Sequence, residues 1–269
     1  MSLLKKVLIK ASGNQVLQNM LEKTAKTAQY YMGIGSGDAV LTSGERAVIE
    51  KMLAVLPSPY CIFDVGSNTG QFLQLILHSI ASDDFSVHCF EPGGAAFKTL
   101  AASVKPDQHH IKLNNKAIGK EKGKAILHYN TSGSELASLT KRRLDHFGID
   151  FDKSETVEIT TIDEYCSEND IHHIHLLKMD IEGHELDALA GAGRMFAENA
   201  IDMVSFEFGG CNIDTRTFFQ DFWYFFHKKN MQLFRITPSG YLCPIDVYKE
   251  IHEQFRTTNF IAISGSQSR

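Results

Sequence analysis

The 269-residue chain is 43% hydrophobic and 22% charged, the composition of an ordinary globular protein with a large core. Its net charge of −5 argues against a nucleic-acid partner, because proteins that bind nucleic acids usually present a basic surface. No stretch reaches the roughly 18 apolar residues needed to cross a bilayer. The five cysteines have no C-x-x-C spacing, which favours a reduced, cytoplasmic protein.

Residues 1–44 are predicted to be an N-terminal helical extension of a domain that covers 45–269. Residues 3–31 have the spacing of one or two helices, with an amphipathic first helix. Its apolar face is formed by Leu3, Leu4, Val7 and Leu8. Such a face can pack on the domain, pair with a second subunit in a homo-oligomer, or lie on a membrane surface.

The glycine-rich segment 33–37 predicts a flexible turn, and a helix is predicted over 43–56 with Ser43 as its N-cap. Strands and helices then alternate, which predicts an α/β fold with a doubly wound, mostly parallel sheet. The alternating elements are strand 61–66, helix 70–80, strand 86–91, helix 93–103 and strand 111–118.

The alternation breaks after residue 118, where two extra strands at 124–130 and 157–162 flank a polar stretch. The remaining elements are strand 174–180, helix 184–197, strand 202–208, helix 215–229, strand 231–237 and a final strand 259–265. The helix at 215–229 is crowded with aromatic residues. We expect it to pack as core against the sheet, with an acceptor pocket or a dimer contact as alternatives.

The first core strand ends in an acid followed by a glycine turn that opens a helix. Asp64 precedes Gly66-x-x-x-Gly70, in which glycines let the backbone approach a ligand closely. Asn68 stands where the G-x-G-x-x-G dinucleotide fingerprint needs glycine. Glu91, at the tip of the next strand, is placed to accept hydrogen bonds from both hydroxyls of a ribose. The pattern therefore indicates a nucleoside site with no demand for a pyrophosphate.

A group of ionisable residues follows the fourth core strand. Asp180, Glu182, His184 and Glu185 lie at the carboxyl end of that strand, where open α/β sheets bind ligands. Lys178 points to the same side of the strand as Asp180. We expect the two to form a buried ion pair, and the alternative is a lysine base with a depressed pKa.

Three segments together resemble the FkbM family of S-adenosylmethionine-dependent methyltransferases. They are DVGSNTG at 64–70, FEP at 90–92 and LKMDIEGHE at 177–185, within a resemblance that extends over roughly 45–265. The resemblance implies a class I methyltransferase (Rossmann-like) fold with a seven-stranded sheet that finishes in an antiparallel pair. It also implies S-adenosyl-L-methionine as the cofactor.

The resemblance places the cofactor against the glycine turn, the tip of the second strand, the loop after the third strand and the tip of the fourth. The expected contacts are Asp64, Gly66, Ser67, Asn68, Gly70, Glu91, Pro92, Asn115, Ala117 and Asp180. Ser134 and Ser138 resemble a serine-rich family segment near the site, although a plain polar loop explains them nearly as well.

The predicted catalytic residues are Asp180, Glu182 and His184. Asp180 can hold the ammonium group of the cofactor or position the acceptor, and the imidazole of His184 can remove a proton near neutral pH. Asp180 and Glu207 lie at neighbouring strand ends, where two carboxylates could bind Mg²⁺. Because two ligands are too few, no metal site is predicted.

The sequence thus predicts an O-methyltransferase that acts on a hydroxyl of a sugar, a glycan or a secondary metabolite. Two alternatives remain open: an N- or carboxyl-methyltransferase of a small molecule, and an inactive binding module of the same fold. The absence of an N-P-P-Y-like element after strand four speaks against methylation of nucleobase amino groups. Intact Asp64, Gly66, Gly70 and Glu91 speak against an inactive module.

Overall fold

The structure is a computed structural model of the chain, and it describes residues 2–37, 42–82 and 84–265. The predicted apolar face of Leu3, Leu4, Val7 and Leu8 consists of side chains that lie outside the described part. Among the described residues, no helix is long and apolar enough to span a bilayer.

Eleven strands are found among these residues, and they form two sheets. Numbered along the chain, they are β1 (Tyr60–Val65), β2 (Phe85–Phe90), β3 (Ile111–Asn114), β4 (Ala117–Ile118), β5 (Gly123–Tyr129), β6 (Lys153–Thr160), β7 (Ile174–Met179), β8 (Ile201–Phe208), β9 (Met231–Ile236), β10 (Leu242–Pro244) and β11 (Thr258–Ser264). The larger sheet has the order β10-β9-β11-β8-β7-β1-β2-β3, and the smaller one β4-β6-β5.

Ten α-helices accompany the strands in the described ranges. They are α1 (Leu3–Ala11), α2 (Gln15–Tyr31), α3 (Arg46–Val55), α4 (Gln71–Ser79), α5 (Gly94–Ser103), α6 (Ile162–Glu168), α7 (Glu185–Ala190), α8 (Gly193–Ala197), α9 (Cys211–Thr215) and α10 (Phe219–Lys228). Short 3₁₀ turns lie at Asp145–Phe147 and Glu250–His252.

The larger sheet confirms the predicted doubly wound, mostly parallel architecture. β1 pairs in parallel with β2 and β7, and β7 pairs in parallel with β8. β11 is inserted antiparallel between β8 and β9, as the resemblance implied. The seven predicted strands are all present, but β10 adds an eighth, because a turn closed by the hydrogen bond from Gly240 N to Thr237 O folds it back on β9.

The central strands are buried on both faces, so successive residues enter different cores. Ile62 and Leu176 belong to the cluster that packs with α3 and α4, whereas Phe63 and Leu177 belong to the cluster on the opposite face. Because both faces of the sheet are packed, the carboxyl ends of β1, β7 and β8 stay in register at one edge of the sheet.

The predicted strand 111–118 is wrong as a single element. The chain leaves the larger sheet after Asn114, and Ala117 pairs instead with Ile159 of β6 in the smaller sheet. The two predicted extra strands are confirmed as β5 and β6, which pair antiparallel. The smaller sheet therefore begins at a break in what local sequence pattern presents as one strand.

Two predicted helices are shorter than expected, one because of a close contact between backbones and the other because of a left-handed residue. The helix predicted over 184–197 is divided into α7 and α8 near Gly191, where an added Cβ would overlap the carbonyl oxygen of Gly119. The helix predicted over 215–229 begins only at Phe219, because Arg216 adopts a left-handed conformation (φ 60°) after α9.

The predicted N-cap at Ser43 is also wrong. Helix α3 begins at Arg46 with Glu45 at the cap position. The Ser43 hydroxyl donates to the Glu45 carboxylate at 2.8 Å instead of capping a backbone N–H. This contact matters for the site because Glu45 is buried beside it.

Segment 33–37 is a turn, as predicted, but it is packed rather than flexible. The backbone N–H groups of Gly35 and Gly37 both donate to the carbonyl oxygen of Thr257, at 2.9 and 3.1 Å. Ile34, which precedes Gly35, and Ser36, which lies between the two glycines, are both buried. Segment 33–37 is therefore held against the segment before β11, while helix α2 has no buried residue.

The aromatic helix α10 packs as core against the sheet, which confirms the main expectation for it. The ring of Phe222 stacks on Phe206 of β8 with centroids 4.7 Å apart, and Phe226 lies 5.3 Å from the same ring. Phe222 and Phe226 are fully buried, whereas Tyr224 points outward and is half-exposed.

We expect Phe222→Ala to lower the free energy of unfolding by about 3–5 kcal/mol, because it removes a stacked, fully buried ring and leaves a cavity. Urea denaturation at neutral pH measures this loss. Tyr224→Ala, on the exposed side of the same helix, is the matched control and should change stability little. Equal losses for the two variants would contradict the packing described for α10.

Candidate active site

A cavity of about 1360 Å³ opens at the carboxyl ends of β1, β2, β7 and β8. Most of the residues predicted from the sequence line it: Gly66, Ser67, Asn68, Glu91, Pro92, Ala117, Asp180, Glu182 and His184. Ser134 and Ser138 line it as well. Ligand pockets commonly measure about 300–1000 Å³, so this cavity has room for two ligands side by side.

Asp64, Gly70 and Asn115 were also predicted to contact the cofactor, but they are not in the cavity wall. Asp64 is fully buried beneath it. Gly70 has φ 99° and stands at the start of α4, where a Cβ would press on Leu100. Asn115 turns its amide toward the backbone, donating to the carbonyl oxygens of Glu91 (2.8 Å) and Pro92 (3.0 Å).

The glycine turn is held by backbone contacts with two neighbouring strands. Gly66 adopts φ 85°, and a Cβ there would overlap the carbonyl oxygen of Asp180. The N–H groups of Gly66 and Ser67 both donate to the carbonyl oxygen of Phe90, at 2.9 and 3.0 Å. Only glycine combines this conformation with this close approach, so the tips of β1, β2 and β7 meet at one point.

Glu91 is the acid at the tip of β2, and its carboxylate is oriented by two backbone N–H groups. Asn68 N donates to one oxygen at 2.9 Å and Gly93 N donates to the other at 2.7 Å. Burial raises the pKa of Glu91 to about 7, although these two hydrogen bonds oppose the rise. Each oxygen keeps a lone pair for a further donor, such as a hydroxyl group.

Lys178 is the buried cation beneath the cavity. Its Nζ lies 3.4 Å from Asp180 Oδ2 and 3.7 Å from Asp64 Oδ1, over the ring of Phe72 at 5.4 Å. Burial alone would lower the pKa of Lys178, but Asp180, Asp64 and Glu45 together raise it above the ordinary value. The expected ion pair with Asp180 is therefore confirmed, and the alternative of a base with a depressed pKa is wrong.

Glu45 was missed by the sequence analysis. It is 5% exposed, lines the cavity and contributes to the charge around Lys178. An acid just before a helix is what the helix dipole favours at any surface helix, so the sequence carries no signal for this burial. Burial raises the pKa of Glu45, and the charge of Lys178 opposes the rise.

The loop after β7 is shaped by Glu185, which has a structural role. Its Oε1 accepts hydrogen bonds from the N–H groups of Ile181 (3.1 Å) and Gly183 (3.2 Å). Burial raises the pKa of Glu185 to about 7, against the effect of these bonds. Within this loop Glu182 adopts φ 53° and Gly183 φ 99°, a tight turn that aims Glu182 into the cavity.

Glu182 is paired with Arg142, a residue that sequence reasoning also missed. Arg142 comes from the polar stretch between β5 and β6, lines the cavity, and also lies 3.6 Å from Asp214. Burial raises the pKa of Glu182, and the Arg142 guanidinium opposes the rise. A polar stretch without periodicity offers no means of identifying which of its charges is buried.

His184 lines the cavity with both ring nitrogens occupied. Nδ1 lies 2.9 Å from Asp187 Oδ2, and Nε2 lies 3.0 Å from the hydroxyl of Thr140. An imidazole can accept a proton from a ligand only through a nitrogen with a free lone pair. His184 would therefore have to release Thr140 before it could act on an acceptor.

Glu207 ends β8 and lines the cavity next to the tip of β7. Within the described ranges, its carboxylate has no hydrogen-bond or ion-pair partner. Burial first, and then the neighbouring charges of Asp180, Glu182, Glu185 and Glu45, raise its pKa well above the ordinary value.

A group with metal-ligand spacing occurs in the described part of the chain, but at the opposite end of the strands. It comprises His173, His175 and Asp202. His175 Nδ1 accepts a hydrogen bond from Cys61 N at 3.0 Å, so its proton belongs on the other nitrogen. Asp180 and Glu207 do not belong to this group or form one of their own among the described residues.

The sheet order and the cavity at its carboxyl edge define a class I methyltransferase fold. The sequence profile described as "Methyltransferase FkbM domain" matches residues 64–233. The chain belongs to the FkbM methyltransferase family.

A curated relative is the 2-O-methyltransferase NoeI of Sinorhizobium fredii, 28% identical over 148 residues that cover 50% of this chain and 58% of that protein. Among solved structures, methyltransferase FkbM from Methylobacillus flagellatus aligns with a TM-score of 0.46 and 17% identity, over 76% of this chain and 43% of that one. The plantazolicin methyltransferase BpumL in complex with SAH aligns with a TM-score of 0.42 and 9% identity, over 94% and 91%. The match thus spans little more than half the length of the curated relative.

We expect Lys178→Met to lower the free energy of unfolding by about 3–5 kcal/mol at pH 8, because it leaves buried carboxylates without a neighbouring cation. The folded variant must then bind protons that the unfolded chain does not bind, so its stability should rise as pH falls. Urea denaturation at pH 8 and pH 5.5 tests both statements. Lys122→Met, at an exposed ion pair, is the control. A loss independent of pH would contradict the charge balance described here.

Proposed function

We propose that this protein is an S-adenosylmethionine-dependent O-methyltransferase that acts on a hydroxyl of a sugar, a glycan or a secondary metabolite. The observation that carries the proposal is the Glu91 carboxylate, which keeps one free lone pair on each oxygen beside the glycine turn. Membership of the FkbM family supports methyl transfer. The 2-O-methyltransferase relative supports oxygen as the acceptor atom.

The cavity fits a nucleoside cofactor on its β1–β2 side. Glu91 would accept the two ribose hydroxyls, and the buried Oδ1 of Asn68, which has no hydrogen-bond partner, is available to a further donor. Gly66 and Ser67 leave room for the ligand along the turn, with Pro92 and Ala117 in the adjoining wall. Asp180, which is partly exposed, would take the cofactor's ammonium group.

S-adenosylmethionine supplies a methyl group already activated by the sulfonium charge. The protein's task is then to align the acceptor oxygen with that methyl group, which is catalysis mainly by positioning. The remaining cavity wall, with Glu182, His184, Arg142 and Glu207, would hold the acceptor. One of these groups would also accept the proton that the hydroxyl loses.

Glu207 is the group best placed to accept this proton. Asp180 is paired with Lys178, Glu182 is paired with Arg142, and both nitrogens of His184 are occupied. Glu207 has a raised pKa and no partner among the described residues. His184 is the alternative base, after release of Thr140.

An N-methyltransferase of a small molecule is the second candidate. Asp180, Glu182 and Glu207 place several carboxyl oxygens in one part of the cavity wall, and these oxygens could accept hydrogen bonds from the N–H groups of an amine. We also propose a cytoplasmic location, since the five cysteines are free thiols, and no nucleic-acid partner, given the net charge of −5.

We expect S-adenosylhomocysteine to bind about 10- to 100-fold more weakly to Glu91→Ala than to the wild type, through the loss of hydrogen bonds to a charged group. Calorimetric titration measures the affinity, with the exposed Glu158→Ala as control. Because the ionised carboxylate is the better acceptor and its pKa is near 7, wild-type affinity should rise between pH 6 and 8. Unchanged binding by Glu91→Ala would reject the cofactor site.

We expect Glu207→Gln to lower kcat about 10²- to 10⁴-fold without changing the affinity for S-adenosylhomocysteine. The assay follows S-adenosylhomocysteine formation with a panel of methyl glycosides and amino sugars. Wild-type kcat should rise with pH as Glu207 loses its proton, and this rise should disappear in Glu207→Gln. If His184→Ala abolishes the rise and Glu207→Gln does not, His184 is the base. Turnover of amino sugars alone would support the second candidate.

A further inference from the structure

Helix α2 presents an apolar stripe that nothing in the described structure covers. Val16 and Met20 are four residues apart and so are neighbours on one side of the helix, and Leu21 lies beside Met20 at the edge of this stripe; the three side chains are 72%, 59% and 49% exposed. Asn14 caps the helix through a hydrogen bond from Leu17 N, so the element has a defined start. No residue of its 17 is buried. Apolar side chains exposed together in this way usually mark an interaction surface.

The charge of this extension is opposite to that of the rest of the chain. Residues 1–44 contain five lysines and two acids, Glu22 and Asp38, whereas the whole chain has a net charge of −5. The lysines are Lys5, Lys6, Lys10, Lys23 and Lys26. A helix with an apolar stripe bordered by lysines matches an anionic lipid surface, because long lysine side chains keep their charge at the headgroups while the stripe enters the acyl boundary.

A shallow groove of about 530 Å³ lies between α2 and the domain, and its lining fits an anionic headgroup. Lys23, Lys26 and Arg256 line it together with the rings of Tyr30 and Tyr31, and these three cations outnumber the single acid of the lining, Glu22. Cations next to tyrosine rings are the combination found where proteins meet the membrane–water interface.

The groove adjoins the active-site cavity. Arg256 lines both, and its guanidinium donates to Gln29 of α2 at 2.8 Å. Arg235 adds a hydrogen bond to the carbonyl oxygen of Met32 at 2.7 Å. The carboxyl end of α2 is therefore held at the cavity, so that a surface bound by α2 would lie beside the cavity entrance.

We propose that helices α1 and α2 bind an anionic lipid membrane surface and hold the cavity next to it. The binding does not depend on the proposed methyl transfer. If that function holds as well, acceptors attached to the membrane would have the shortest route to the cavity. A second copy of the chain is the competing occupant of the stripe, but two copies would bring the lysines of two extensions together.

The test uses the full chain in sedimentation with vesicles of phosphatidylcholine, with and without phosphatidylglycerol. The wild type should bind only the vesicles that contain phosphatidylglycerol. Raising the salt from about 0.01 M to about 1 M shortens the Debye length from about 30 Å to about 3 Å and should release the protein. Binding to neutral vesicles alone, or no binding at low salt, would overturn the proposal.

Lys23→Glu/Lys26→Glu should weaken binding at least about tenfold, since each lysine near an anionic surface contributes to attraction. Lys98→Glu/Lys124→Glu changes the net charge equally at exposed sites on the domain and should bind like the wild type. Met20→Asp should also weaken binding. Because α2 is exposed, calorimetric binding of S-adenosylhomocysteine should be the same for all variants. Equal binding by the two double variants would overturn the proposal.

Light scattering after size-exclusion chromatography gives the mass in solution. A monomer supports the proposal. A dimer that Met20→Asp converts to a monomer would assign the stripe to a second copy and overturn it. Loss of vesicle binding together with intact cofactor binding separates a failure of this surface from a failure of the proposed function.

Discussion

One buried ammonium group holds the active-site edge of this protein together. Lys178 of β7 pairs with Asp64 of β1 and Asp180 after β7, and it also feels the charge of Glu45 before α3, so it links elements that are far apart in sequence. Each of these carboxylates would be costly to bury without a cation. The arrangement of the strand tips therefore depends on Lys178 and on each of these carboxylates. The cavity lies directly above this group of charges.

Much of the acidity near the cavity is used to build it. Glu185 holds the loop after β7 through backbone N–H groups, and Glu182 is paired with Arg142. Glu91 and Glu207 differ from them in position, because both line the cavity and keep capacity for hydrogen bonds that the described residues do not use, whereas Glu185 lies outside the cavity wall. Residue type could not have made this division, since all four are glutamates.

The fold was largely predictable because its signals are local. Alternating strands and helices, the turn from Gly66 to Gly70 and the acid at Glu91 can each be identified within a few residues. The failures came from contacts between distant segments. Ala117 leaves its strand to pair with β6, and a single predicted helix divides where Gly191 meets another backbone.

By itself the sequence determined the order of the core elements, the family and nearly all of the glycine turn at 66–70. These features depend on backbone conformation and apolar periodicity, which adjacent residues determine. Only the tertiary structure decided the partners of the charged groups. It brought Glu45 and Arg142 to the cavity, occupied both nitrogens of His184 and left Glu207 without a side-chain partner in the described part of the chain. The pairing of a charge depends on which distant side chains share its buried volume, and no short segment of sequence contains that information.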